Sequence, residues 1–392
     1  MKKQTRKILI KRIDLSFRDE CFFLLGVPLM KAHRVLLMVV VSLAAGFSAR
    51  ADGVDDLILK RMHERNITGL SLAIVKDGKI VKAQGYGFID KSNRVAVTAE
   101  TLFQAGSISK PVAAVGVLRL VERGRLSLDE DVNGKLRTWK VPENEFMKEK
   151  KVTLRGILSH SAGLTVHGFP GYAVGKSEPT LVQVLDGAPP ANTPAIRVDV
   201  VPGSLERYSG GGYIVMQQLV MDVTREPFAK FMRDTVLKPL GMTNSTYEQP
   251  LPPEWAGRTA SGYYANGKAV EGRWHIYPEQ AAAGLWTTAS DLARFEIGIQ
   301  QAVAGASNSV ISQAVALQML TKQKENAGLG LFLQGEGKTL AFMHNGRDEG
   351  FDADMAAFAN TGKGAVVMIN ENDDSGVTKE IIEAVGKEYH WW

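Results

Sequence analysis

Strand-like segments stand at the two ends of this chain and almost nowhere between them. Residues 70–76 and 79–83 read as strands, and Asp77-Gly78 between them is a hairpin signal, because both residues tolerate positive φ. In the last quarter, 328–333, 339–344, 355–358 and 365–369 read as strands, and 377–388 as a final helix. From about 125 to 285 the chain carries helical patterns, Pro/Gly loops and long connections. Residues 53–66 show a helical stripe (Val54, Leu57, Ile58, Met62), and 291–303 a second helix with Ser290 or Asp291 as its cap. This layout predicts an α+β fold. One antiparallel sheet is built from both chain ends and flanked by helices, with a helical insertion lobe at about 125–285.

The first 51 residues read as a leader outside that fold. Met30 opens a basic stretch (Lys31, His33, Arg34), followed by the apolar run 35–47 and Ala49-Arg50-Ala51. That is the three-part form of a secretory signal, with cleavage expected after Ala51 and a translation start expected at Met30. The expectation is an exported, periplasmic or secreted protein with its functional domain at 52–392. The apolar run is too short for an easy membrane span, so no stable insertion is expected once the signal is cleaved; an uncleaved anchor is the alternative. The leader holds ten of the 47 Lys/Arg and three of the 42 Asp/Glu, which leaves 37 basic against 39 acidic residues. The chain's net charge of +5 therefore resides in the leader, and nothing argues for a nucleic-acid partner. Cys21 lies there too, so residues 52–392 offer no disulfide, thiol nucleophile or thiolate metal ligand.

Within the domain, Ser107-Ile108-Ser109-Lys110 is the one place where a lysine follows a serine at three positions. On a helix, residues i and i+3 share a face, so a lysine amine kept neutral by burial could take the proton of the serine hydroxyl. The apolar run 112–121, closed by Arg123-Gly124, predicts a buried helix with Pro111 in its first turn and Ser107 at its positive end. Such a nucleophile needs a proton relay and oxyanion donors. Tyr208-Ser209-Gly210-Gly211-Gly212 reads as a glycine-rich turn that presents Tyr208, whose tyrosinate could act as a base beside a lysine. His344-Asn345-Gly346 ends a strand, where a histidine can face a cleft and the glycine admits a substrate. Taken alone, each also fits a packing role. His160 and His167 lack a third ligand for a metal site, and His390-Trp391-Trp392 reads as a packing or tail feature.

Together these motifs, in this order and spacing, resemble the serine β-lactamase and penicillin-binding-protein superfamily. The likeness is to its class C-like branch, which includes family VIII esterases, D-stereospecific peptidases and D-Ala-D-Ala carboxypeptidases. It covers roughly residues 53–388, with supporting segments at 153–164, 237–243 and 284–293. The resemblance implies a β-lactamase/transpeptidase-like fold and an acyl-enzyme mechanism needing no metal or cofactor. Ser107 would be the nucleophile, Lys110 and Tyr208 would share the general-base work, and His344 would stand where the family carries a lysine. The backbone N–H groups of Ser107 and Arg347, beside Gly346, would form the oxyanion hole, with Ser209 and Gly210 contacting substrate.

Two departures tilt the expected substrate. Gly210 stands where the family commonly carries asparagine, which removes a donor and acceptor for a substrate amide. His344 removes a permanent charge that would pair with a substrate carboxylate. The expected partner is a small-molecule ester or amide, cleaved in carboxylesterase-like fashion with weak or no β-lactamase activity. A β-lactamase or a D-Ala-D-Ala carboxypeptidase is the alternative within the family; a catalytically poor sensor or wall-binding protein is the alternative outside enzymes. Ser159-His160-Ser161-Ala162-Gly163 resembles a nucleophile elbow, but helix-like residues precede it and a loop follows, opposite to what an elbow requires.

Overall fold

The computed structural model describes residues 53–306 and 310–391. The leader and cleavage site expected from the sequence, and Trp392, lie outside the described residues. The elements that frame the site are α1 (Gly53–Arg65), β1 (Gly69–Lys76), β2 (Lys79–Gly87), α2 (Ser109–Glu122), α3 (Gly210–Thr224), α4 (Ala289–Val303), β3 (Phe332–Gln334), β4 (Ala341–Asp348), β5 (Phe351–Phe358), β6 (Lys363–Ile369) and α5 (Val377–Glu388).

The six strands form one antiparallel sheet in the order β2-β1-β6-β5-β4-β3. The β1–β2 turn has positive φ at both Asp77 (52°) and Gly78 (68°), the backbone that a two-residue hairpin needs to match strand twist. Alternation on β1 serves two cores. Leu70, Leu72 and Ile74 meet Ile58 of α1 and Ile381 and Val385 of α5, whereas Ala73 and Val75 face the larger core that includes Phe295 and Ile299 of α4. With both faces covered, truncating Leu72 to alanine would cost about 2–5 kcal/mol. The α5 residues Val377, Ile381 and Val385 recur every four positions, which puts one apolar stripe on the sheet.

α2 is apolar on nearly all sides and lies buried between the sheet and the helical lobe. Pro111 sits in its first turn, and beyond Arg123 the chain turns at Gly124 (φ 67°). Between 125 and 285 the only strands among the described residues are the paired dipeptides Tyr172–Ala173 and His275–Ile276.

Four details differ from the sequence expectations. His344-Asn345-Gly346 does not end a strand but lies inside β4, which stays paired with β5 as far as Asp348. α4 is capped by Thr288, whose hydroxyl accepts from the Asp291 N–H at 3.1 Å, so Ser290 and Asp291 already lie inside the helix. The strand expected at 328–333 shrinks to Phe332–Gln334. Gly330 (φ 91°) crosses so near α2 that a Cβ there would lie 2.5 Å from Ala114 Cβ, and its N–H donates to Leu158 O instead of to a ladder. Gly210–Gly212 is no turn but the first turn of α3.

Candidate active site

Ser107 lies in a 3₁₀ turn, Gly106–Ile108, that leads directly into α2 and presses against β4. A Cβ on Gly106 would fall 2.4 Å from the Arg347 nitrogen, and one on Gly346 would fall 1.9 Å from Ala105 O and 2.9 Å from the Ser107 nitrogen. Two glycines thus let two backbones touch, and this gathers the N–H groups of Ser107 and Arg347 at one end of a cleft of about 500 Å³. Lys110, one turn on and 2% exposed, donates to Ser107 Oγ at 2.8 Å and to Ala282 O at 2.8 Å. Burial pulls its pKa down to about 7, opposed by the nearby Asp348 carboxyl, so the amine is within reach of its neutral form at ordinary pH.

The turn is braced by Ser109, which sequence reasoning left without a role. Its hydroxyl donates to Gly106 O (2.6 Å) and accepts from Leu285 N (3.0 Å). Leu285 follows the helical turn Gln280–Ala283 that supplies Ala282 O, and that turn is tied to α3 through Gln217 Oε1, which accepts from the Ala281 N–H at 2.9 Å. The lysine's second anchor is thereby held from two sides. The only trace in the sequence is a polar residue at the inner position of the tetrapeptide.

Tyr208 joins the pair. Its ring lies 4.9 Å from Lys110 Nζ and stacks on His160, centroids 4.3 Å apart. Burial raises its pKa, with an opposing hydrogen bond to Ser107, so Tyr208 is a neutral phenol rather than the tyrosinate expected from the sequence. His160 is buried, and its Nδ1 accepts from the Ser209 N–H at 3.2 Å, which identifies its role as the tyrosine's platform.

His344 is brought near but not into the cleft wall. Its ring is 3% exposed and stands 6.2 Å from Tyr208 and 5.5 Å from Phe332, centroid to centroid. Nδ1 lies 2.6 Å from Asn345 O; a carbonyl only accepts, so Nδ1 carries the proton and Nε2 is a buried lone pair without a partner. Burial, then the Lys110 charge, pushes the imidazole pKa down to about 3, so His344 is neutral.

Ser209 and Gly210, expected to contact substrate, are engaged elsewhere. Ser209 Oγ donates to Thr165 O (2.9 Å) and accepts from Gly212 N (3.0 Å), capping α3. Gly210 N and Gly211 N donate to His167 O and Val166 O, each at 3.0 Å. The docked loop puts His167, Gly168 and Phe169 into the cleft wall. A Cβ on Gly210 would lie 3.0 Å from both His167 O and Phe169 Cε2, so the loop occupies the room an asparagine side chain would need. Ser161, of the elbow-like segment, is buried with its hydroxyl 2.9 Å from Ser159 Oγ, and helix Leu154–Leu158 rather than a strand precedes it.

The cleft's charges are largely committed. Arg347 makes a two-pronged pair with Asp352 (2.7 Å at both Nε and Nη2) and reaches Asp374 at 2.8 Å. Asp348, two residues beyond Gly346, is 3% exposed, and its carboxyl oxygens find no well-formed hydrogen bond. Burial drives its pKa well up, against the pull of Lys110 and of the Gly106 N–H. Among the described residues, no group of three or more His, Cys, Asp or Glu is arranged to hold a metal ion.

The chain is 27% identical over 199 residues to Protein flp of Staphylococcus aureus (strain N315), which covers 50% of this chain and 38% of that protein, so it spans well under half of that relative's length. It is 27% identical over 263 residues to Penicillin-binding protein 4 of Amycolatopsis lactamdurans (65% of this chain, 66% of that one). In fold it is similar to an octameric penicillin-binding protein homologue from Pyrococcus abyssi. That match has a TM-score of 0.68 and 24% identity, and covers 86% of this chain and 77% of the other. A Beta-Lactamase/D-Alanine Carboxypeptidase from Pseudomonas syringae is similar too (TM-score 0.68, 21% identity, 86% of this chain and 97% of the other). The family model described as Beta-lactamase matches residues 54–386, nearly the whole of the fold that carries Ser107, Lys110 and Tyr208, and the chain belongs to that family.

Proposed function

We infer that this protein is a serine hydrolase that acts through an acyl-enzyme at Ser107 and prefers neutral esters to β-lactams. The observation that carries this reading is the 2.8 Å contact between Lys110 Nζ and Ser107 Oγ, made by a lysine whose pKa burial has lowered to about 7. In its neutral form Lys110 accepts the Ser107 proton as Oγ attacks the substrate carbonyl carbon. The backbone N–H groups of Ser107 and Arg347 receive the developing oxyanion. The Tyr208 phenol gives its proton to the leaving alkoxide and regains one from the Lys110 ammonium. Water then attacks the acyl carbon by the reverse relay, which releases the acid and frees Ser107.

The preference for neutral substrates rests on what the cleft lacks to offer. Of the two cationic side chains lining it, Lys110 is bound to Ser107 and Ala282, and Arg347 to two aspartates. His344 is neutral. A substrate carboxylate would find no uncommitted cation there, and Gly210 has no side chain to grip an amide. The leader pattern adds a proposal of export, which N-terminal sequencing of the protein recovered from the producing cells would test.

The experiment is a panel of aryl esters, a chromogenic cephalosporin and a D-Ala-D-Ala peptide, run on the protein and on Ser107→Ala. Ester turnover that the substitution abolishes is the expected result. Cephalosporin cleavage well above ester cleavage would sink the preference. Stable acylation of Ser107 without turnover would favour a sensor.

A further inference from the structure

Behind the catalytic cleft, on the face of β3–β5 turned away from the helical lobe, lies a groove of about 1060 Å³, roughly twice the cleft's volume. Its floor follows from the ladder register. Ala341 opposes Phe358 and Met343 opposes Ala356, so these pairs lie on one side of the sheet. Ile382 of α5 and Trp391 line the groove, and the Trp391 ring meets Phe358 edge-on at 5.8 Å.

The groove adjoins the cleft. Phe332 and Asn345 line both cavities. Asn345 is exposed and Phe332 half-buried, so the divide between the two is a surface rim and not a packed wall. Phe332 pairs with Met343 in the ladder and holds its ring 6.3 Å from that of Tyr208. A chain attached to the Ser107 acyl carbon that crosses this rim therefore enters a mostly apolar surface. An unpaired apolar face of this size on an otherwise well-covered sheet calls for an apolar ligand.

We propose that the groove is the acyl-chain site of the enzyme, which takes esters of medium- to long-chain fatty acids with the carbonyl at Ser107 and the alkyl chain laid over Phe332 onto Met343, Ala356 and Phe358. This deepens the hydrolase reading and rests on it. The alkyl chain is fully apolar, and the floor it would lie on, Ala341, Met343, Ala356 and Phe358, is apolar too; the polar pair Asn345–Asp354 stands beyond Met343 and Ala356 in the ladder, and Lys379, Glu383 and Lys387 of α5 line the groove's side. Each methylene moved from water into such a groove should raise kcat/KM by about fourfold while it remains inside.

The test is kcat/KM for p-nitrophenyl alkanoates from acetate to dodecanoate on the full-length protein, on Ala356→Trp, which fills the groove, and on Met343→Asp, which puts a charge in it. Neither position belongs to the catalytic set, and acetate turnover reports folding for each variant. The expected result is a rise with chain length in the parent, with the decanoate-to-acetate ratio falling at least about tenfold in both variants and acetate turnover little changed. A flat or falling profile in the parent, or a ratio indifferent to both variants, overturns the acyl site and leaves the hydrolase reading standing. If the ratio is flat and Ala356→Trp instead dissolves a dimer in sedimentation, the groove belongs to a second copy, and the proposal is equally overturned. Should the protein turn over no ester, the rate at which n-alkyl fluorophosphonates of graded length label Ser107 gives the same readout. Chain-length-dependent labelling that Ala356→Trp abolishes would then support the groove while the hydrolase reading fails.

Discussion

Gly346 and Ala105 approach so closely that a Cβ on the glycine would lie 1.9 Å from the alanine's carbonyl oxygen. The contact sets how near β4 can come to the turn that carries Ser107. Gly346→Ala must part the two, and with them the N–H groups of Ser107 and Arg347. The expected effect is a fall in kcat/KM of about 10²- to 10³-fold, the usual cost of a lost oxyanion donor. Thermal melting followed by circular dichroism should still be cooperative, which would separate a damaged site from a lost fold.

Lys110 gives the reaction its acid limb. Its folded-state pKa, lowered to about 7 chiefly by burial, requires kcat/KM to rise with pH through that value as the amine loses its proton. Lys110→Arg, charged at every accessible pH, should lose about 10²–10⁴-fold at all pH values. The same shift acts on stability. The unfolded lysine binds its proton up to about 10.5 and the folded one only to about 7, so its contribution to stability should improve as pH rises across that window. A pH–rate profile together with denaturant melts at pH 7 and 9 checks both signs.

Glu279 behaves in the opposite sense. It is fully buried at the start of the turn that carries Ala282, with Tyr172 Oη 3.4 Å away, and burial raises its pKa to about 7. A carboxyl that holds its proton in the folded state stabilises below the unfolded pKa and loses that advantage as pH climbs through the folded one. Glu279→Gln should therefore leave stability near pH 5 almost unchanged and raise it at pH 8, by roughly 2–3 kcal/mol if the amide finds the same partner. Denaturant midpoints at the two pH values decide it.

Gly210→Asn tests whether a missing amide alone separates this cleft from one that grips β-lactams. The new side chain would meet His167 O and Phe169, so the expected outcome is a loss of about 1–3 kcal/mol and no gain in cephalosporin turnover. Adding Phe169→Ala should recover part of the stability. A gain in cephalosporin turnover from the single substitution would show that the loop yields easily.

What the sequence made legible was local or periodic. The Asp77-Gly78 hairpin, the stripe of α1 and the Ser107–Lys110 spacing each depend on neighbours a few residues apart, and each has its counterpart in the structure. The glycines after Tyr208 misled because glycine reads as a breaker, whereas these three open a helix, the first two beneath a docked loop whose carbonyls leave no room for side chains. Tyr208's protonation state could not be read either, since it depends on how deeply the ring is buried. Ser109 and Asp348 escaped notice because their significance lies in partners far along the chain, Leu285 for one and Lys110 for the other.

The pairing of β1 with β6 joins Leu70 to Ile369, almost three hundred positions apart. A strand made early in synthesis, apolar on both of its faces, must wait for nearly the whole chain before its second neighbour exists. Until then the β1–β2 hairpin offers an open, sticky edge. Its closure is the long-loop step that slows folding and leaves room for mispairing with other chains. The sheet that supports Ser107 from below is thus sealed last, and the time the chain spends before that seal is when it most needs protection from its own kind.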